Sequence, residues 1–196
     1  MRRRGPEAQL HQPASLAIDR AAAALSTLIH ESVRARGPSI FSLSSPEMLL
    51  LRFRSMRRLW IATQTVYSEN EAKISLALSR DSAGVLADLL MGRRGLGTRN
   101  LAGLEMDAIR ETANIVSGAF LAALGERTGL RETPSVPSLV QGELQDLIQN
   151  FTLNPESLCV ESRLIAPAHN LEIVVLLAMV QRPEHRISGS LSTPAL

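Results

Sequence analysis

Residues 100–127 read NLAGLEMDAIRETANIVSGAFLAALGER. Apolar residues Ile109, Ala113, Val116, Phe120 and Leu124 recur at helical spacing, so the stretch predicts one long amphipathic helix from near Asn100 to about Arg127. Its other side carries Asp107, Glu111 and Asn114 at i, i+4 and i+7, which places them on one stripe. Gly118 continues that stripe and Gly125 lies further along it. Glycine inside a helix costs about 1 kcal/mol relative to alanine. A polar stripe that runs on as bare backbone predicts that another surface approaches closely there. Every amphipathic helix has a polar face, so the stripe alone assigns nothing. Its composition is nevertheless specific: a carboxylate that only accepts hydrogen bonds, and one turn on an amide that both donates and accepts. An amide held on a rigid helix can fix a water molecule at a chosen angle, which suits a hydrolysis that needs position more than a nucleophile.

Outward from this helix the chain repeats itself. Upstream, Ile18, Ala22, Leu25, Leu28 and Ile29 predict a first long helix over 14–34, ended before Gly37-Pro38. A polar stretch near 42–46 and a strand over 48–53 are expected next. Segments 59–67 and 73–79 read as a hairpin around Ser68-Glu69-Asn70-Glu71. Asp81 or Ser82 is expected to cap a short helix that Gly92 closes, and 93–99 reads as a linker. Downstream, Gly129 and Pro134 end the second long helix, Pro137 lies in an extended stretch, and 143–150 reads as one or two helical turns. Segments 158–165 and 171–180 form a second strand pair about a turn at 167–170. The pattern of Leu59-Trp60-Ile61-Ala62-Thr63 resembles that of Leu158-Cys159-Val160-Glu161-Ser162. The expected architecture is α+β: two pseudo-symmetric halves sharing one antiparallel sheet, with the two long helices packed on one face. The expected bounds are a disordered tail over 1–13, a single domain over 14–181 (first half 14–92, second half 100–181) and a loose tail over 182–196.

Bulk properties narrow the function classes. The chain has 196 residues, 45% of them hydrophobic and 20% charged, as in an ordinary globular protein. A net charge of +2 with only 3% aromatics gives no base-stacking platform, so no nucleic-acid partner is expected, and Arg52, Arg54, Arg57 and Arg58 read as a solvated cluster. Cys159 is the one cysteine, so no intrachain disulfide can form; it lies in an apolar run and reads as a buried, inert thiol. His11, His30, His169 and His185 have no partners at ligand spacing, so no metal site is expected. The start MRRRGPEAQLHQPAS resembles no secretory signal and the longest apolar run, 173–180, is too short to span a bilayer. A cytoplasmic protein without membrane contact is expected.

Asp107, Glu111, Asn114 and, after 22 intervening residues, Pro137 reproduce [DS]-x3-E-x2-N-x22-P. That spacing resembles the signature of the CheC/CheX/FliY family of chemotaxis phosphatases. ETANIVSG also resembles the family's E-x-x-N-I-x-x-G, and RDSAGVLADLLMG resembles its short helix ahead of the site helix. The resemblance covers roughly residues 14–181 and is closest to CheC. It implies a phosphatase that hydrolyses the aspartyl phosphate of a phosphorylated CheY-like receiver domain. Asn114 would orient the attacking water and Glu111 would pair with the receiver's active-site lysine. Asp107, Gly118 and Pro137 would support them. No cofactor is implied on this chain; Mg2+ would belong to the partner. Many CheC-like proteins carry a second E-x-x-N on the first long helix. Here the matching frame is Ser15, Asp19 and Ala22, which lacks the amide, so the first half is expected to be catalytically silent. CheX-like members dimerise and CheC-like ones can be monomers, so monomer and homodimer both stay open. The other reading is a binding module without turnover, docking a phosphorylated receiver, a CheD-like protein or a flagellar switch component.

Overall fold

In a computed structural model, residues 6–43, 47–53, 58–67, 72–93, 100–129, 133–144 and 157–180 are described. Helix α1 (Pro6–Ile29) leads into strand β1 (Arg34–Leu43), short helix α2 (Glu47–Arg52), strands β2 (Arg58–Tyr67) and β3 (Ala72–Ser79), and helix α3 (Arg80–Leu90). Helix α4 (Leu104–Thr128) follows, then β4 (Thr133–Pro134), β5 (Ser138–Glu143), β6 (Ser157–Ala166), a 3-10 turn (Pro167–His169) and β7 (Leu171–Met179). All pairings are antiparallel within one seven-stranded sheet, ordered β1-β6-β7-β3-β2, with β4 and β5 both on the outer edge of β2.

That order reads the same from either side of the β7–β3 seam if β1 is exchanged with β5, β6 with β2 and β7 with β3. The sheet is therefore a pseudo-two-fold of two halves. Each half contributes a hairpin, β2–β3 or β6–β7, and lends its remaining edge strand to the other half's hairpin: β1 pairs β6, and β5 pairs β2. A consequence for the site is that a helix of one half lies over a strand of the other.

Strand alternation sorts the core into two layers. On one face Trp60, Ile74, Leu164, Ile173 and Val175 pack against Leu25 of α1, Leu86 of α3 and Phe120 of α4. On the other, Ile61, Leu176 and Cys159 pack beneath Leu49 of α2 and Phe53 just after it. Both long helices thus lie on one face, as expected, while the second face is closed by a short helix where a strand over 48–53 had been expected. A run this short does not distinguish strand from helix by periodicity. Leu49 and Phe53, one helical turn apart, bury together, and the Phe53 amide donates to the Leu49 carbonyl at 2.9 Å.

Four other features differ from expectation. Helix α1 begins at Pro6, inside the stretch expected to be disordered, because Leu10 sits one turn before Ala14 on the same buried stripe. Proline is tolerated at a first helical position, and Pro13 costs one backbone bond that burial of Leu10 offsets. The helix stops at Ile29, where His30 turns to φ 55, rather than near Arg34. Strand β1 runs through Gly37-Pro38, where no element was expected: the register with β6 shifts between Arg36 and Ser39, so the proline's missing N–H falls in a bulge on an edge strand. Gly37 is required there, at φ 105, with a virtual Cβ 3.1 Å from the Glu161 carbonyl oxygen. Finally, Ser79 rather than Asp81 or Ser82 caps α3, its hydroxyl accepting the Ser82 amide at 3.0 Å. The turn at 68–71, residues 145–150 and the tail over 182–196 lie outside the described residues; Glu143 itself ends β5.

Of the arginine cluster, Arg52 pairs with Glu161 at 2.9 Å and stacks 3.7 Å above the Phe41 ring, and Arg58 pairs with Glu143 at 2.7 Å. These two arginines are used within the fold. Burial pushes the Cys159 thiol up to about 12, against the opposing pull of Arg52. A raised pKa keeps the thiol protonated through neutral pH, and thiolate is the reactive form. Cys159 is therefore expected to resist a disulfide reagent such as Ellman's for hours in the folded chain and to react in seconds once guanidinium unfolds it. Labelling of the folded chain within minutes would contradict its placement. No helix among the described residues is long and apolar enough to cross a membrane.

Candidate functional site

Helix α4 starts at Leu104, four residues after the expected Asn100, because Gly103 at φ 52 is its N-cap. Glu105 and Asp107 in the first turn suit the positive end of the helix dipole, and Gly129 at φ 75 closes the other end. The expected apolar face, Ile109, Ala113, Val116, Phe120 and Leu124, is buried in full.

The opposite face is the candidate site. At about 100° per residue, Leu104, Asp107, Glu111, Asn114 and Gly118 fall within an arc of about 80°. Leu104, Asp107, Glu111 and Asn114 are all exposed. Asp107 is engaged within the helix by Arg110, at 2.5 Å. Glu111 has no hydrogen-bond or ion-pair partner among the described residues, so its carboxylate is available to another molecule. Asn114 is backed from beneath: its Oδ1 accepts from Gln64 Nε2 at 3.4 Å, the long end of hydrogen-bond range.

Gln64 is 1% exposed and sits on the helix-facing side of β2, between Ala62 and Val66. A buried amide needs partners. Its Nε2 also donates to the Ser135 carbonyl at 2.8 Å. That carbonyl is free because the edge beside β2 breaks between β4 and β5. At the break Ser135 bonds Thr65 twice, its amide donating to the Thr65 carbonyl at 2.8 Å and its hydroxyl accepting the Thr65 amide at 3.0 Å. Pro137 is buried at the end of the same break, where its lack of an N–H costs no ladder bond. Pro137 thus lies two residues beyond Ser135, whose carbonyl accepts from Gln64. Val136, between them, is 86% exposed.

No described part of this chain closes on Gly118, so a surface approaching that bare backbone would belong to another molecule. Among the described residues, no atom outside the adjoining backbone of its own helix comes within 4 Å of a Cβ built there. The fold does not need this glycine, so Gly118→Ala is expected to raise stability by about 1 kcal/mol through helix propensity. A loss of stability in chemical denaturation would show that the fold does need Gly118.

In the first half, Asp19 is exposed and Ser15 half-buried, but Ala22 points into the core and is 5% exposed. The asparagine position of the second E-x-x-N is thus an alanine turned inward. Among the described residues no group of three histidine, cysteine, aspartate or glutamate side chains could hold a metal ion. Sequence reasoning missed Gln64 and Ser135. The available signal was the helix-facing series Trp60, Ala62, Gln64, Val66, in which one long amide interrupts an apolar row.

No family model and no curated protein matches the chain. Solved structures do. FliY of Thermotoga maritima superposes with a TM-score of 0.72 at 19% identity, covering 89% of this chain and 91% of that one. The CheX–CheY–BeF3–Mg2+ complex of Borrelia burgdorferi gives 0.59 at 15% identity, covering 87% and 97%. The FliG–FliM complex of H. pylori gives 0.60 at 12% identity, covering 87% and 91%. The sheet order, the two long helices on one face and these superpositions agree that the chain has the fold of the CheC, CheX and FliY proteins.

Proposed function

We propose that this chain is a phosphatase of receiver domains, hydrolysing the aspartyl phosphate of a phosphorylated CheY-like response regulator. The observation that carries the reading is the pairing of Glu111 and Asn114: both exposed on one arc of a stiff helix, the carboxylate unpartnered and the amide supported from below. A helix face with no function in the fold has no need of a buried amide under its asparagine.

Phosphoryl transfer passes through a loose transition state, so placing the water and balancing charge are the main tasks. Asn114 would enter the receiver's pocket and hold a water in line with the phosphorus. The water oxygen bonds to phosphorus as the bond to the aspartate oxygen breaks. The aspartate leaves as carboxylate and the water's proton goes to the phosphate released. Glu111 would pair with the receiver's lysine and set the angle of docking. The divalent cation of the reaction would be the receiver's own, balancing charge on the phosphoryl oxygens. Leu104 and Val136, both exposed, would supply apolar contact around the polar pair.

A second reading, docking without turnover, draws on the likeness to a chain of the FliG–FliM complex and on the first half, where the asparagine position is the buried Ala22. The partner there would be a flagellar switch component, a CheD-like protein or a receiver held without hydrolysis. A screen of receiver domains charged with a small phosphodonor separates the two. Faster phosphate release from at least one receiver supports hydrolysis; binding to a charged receiver with its decay unchanged supports docking alone.

A further inference from the structure

We infer that Gln64 is a positioning residue for the Asn114 amide, an inference that rests on the phosphatase reading above. The orientation follows from chemistry. The Ser135 carbonyl oxygen can only accept, so the end of the Gln64 amide that faces it, at 2.8 Å, is the NH2. That same NH2 faces Asn114, so the Asn114 atom turned inward is the acceptor Oδ1 and the NH2 is turned out. Gln64 is locked: it is 1% exposed, and the backbone it reads is itself fixed by the doubled bond between Ser135 and Thr65. An exposed asparagine on a bare helix samples both flips of its amide. This one meets a buried donor on its inner side, which favours the flip with Oδ1 inward. The second lone pair of Oδ1 stays available to a water proton, while the outward N–H groups meet acceptor oxygens.

The pseudo-two-fold supplies an independent observation. Aligning the starts of β3 and β7, at Ala72 and Leu171, and carrying the ladders outward places Gln64 opposite Leu164 of β6. Leu164 is fully buried, and the residue that matches Asn114 in the first half is Ala22. The half that keeps the outward amide keeps the buried one beneath it, and the half that lacks the first has an apolar side chain in place of the second. Because edge strands are exchanged, the two amides come from different halves: Asn114 from the second and Gln64 from the first. Neither half alone builds the site.

The test uses the full chain with Gln64→Met, which keeps length and volume but has no donor. With a receiver that the wild-type chain dephosphorylates, kcat is expected to fall about tenfold while KM stays within twofold, since docking through Glu111 is untouched. In the Asn114→Ala background the same change is expected to remove nothing further, because it acts through the missing amide. The side-chain NH2 signals of Asn114 in a 15N-labelled sample are expected to shift in Gln64→Met without a receiver present. Unchanged kcat, or an equal loss with and without Asn114, would overturn the inference. If no receiver is dephosphorylated by the wild-type chain, the phosphatase reading fails, and the amide signals still decide separately whether Gln64 holds Asn114.

Discussion

Asn114→Ala is expected to lower stimulated phosphate release by about a hundredfold or more, with KM for the phosphorylated receiver little changed. The size follows from what the amide would do. A positioned group contributes only in the transition state, and misplacing a reacting partner by an ångström costs about a hundredfold. Stability is expected to be unaffected within about 0.5 kcal/mol, because Asn114 is exposed and its one contact is long. Gln64 keeps its short bond to Ser135 in the variant, so no buried donor is orphaned. Phosphate release and a guanidinium titration on the same preparation check both halves. Loss of activity together with loss of fold would count against the assigned role.

The second large effect belongs to Glu111. Replacing it by alanine is expected to raise KM by about tenfold to a hundredfold and leave kcat within a few fold, because the carboxylate would dock the partner's lysine rather than act on phosphorus. Charge reversal in Glu111→Lys is expected to be worse than alanine, since two cations would then face each other. The wild-type KM should climb as salt is added and the alanine variant's should climb less, because screening acts on the pair that the variant has lost. Glu111 has no ion pair to lose among the described residues, so neither substitution is expected to destabilise the chain. Steady-state kinetics at two salt concentrations read all of this directly. A fall in kcat with unchanged KM would move Glu111 into the chemistry.

Helix α4 was legible because twenty-five residues of one helix repeat the same two-faced pattern, and its buried and exposed arcs came out as the sequence implied. The paired halves were legible in outline because β2 and β6 both carry long apolar runs, but the register read from the sequence, Leu59 with Leu158, is one residue out: it sets Trp60 of the helix-facing layer against Cys159 of the opposite layer, whereas the ladders match Trp60 with Val160. Strand β1 was hidden by Gly37-Pro38, a pair that ordinarily breaks a strand and here occupies a bulge at the sheet edge. Helix α2 was hidden by its brevity, since only tertiary contact of Leu49 and Phe53 with the back of the sheet decides its form. The N-terminal turns were hidden by Pro6 and Pro13, whose cost is overcome by burial of a single leucine. Gln64 was out of reach for a different reason. Its partners, Asn114 and Ser135, are 50 and 71 residues away, brought together only by the exchange of edge strands between halves.

The most direct test is a turnover count. A receiver labelled with radioactive phosphoryl groups is mixed with the chain at one-twentieth of its concentration, and released phosphate is followed against the receiver's own decay. An outward amide that steers water and then withdraws should discharge many receivers per chain, and the Asn114→Ala chain should leave the decay at its unassisted rate. Decay that stays at the unassisted rate for every receiver the wild-type chain binds would contradict the account at its centre.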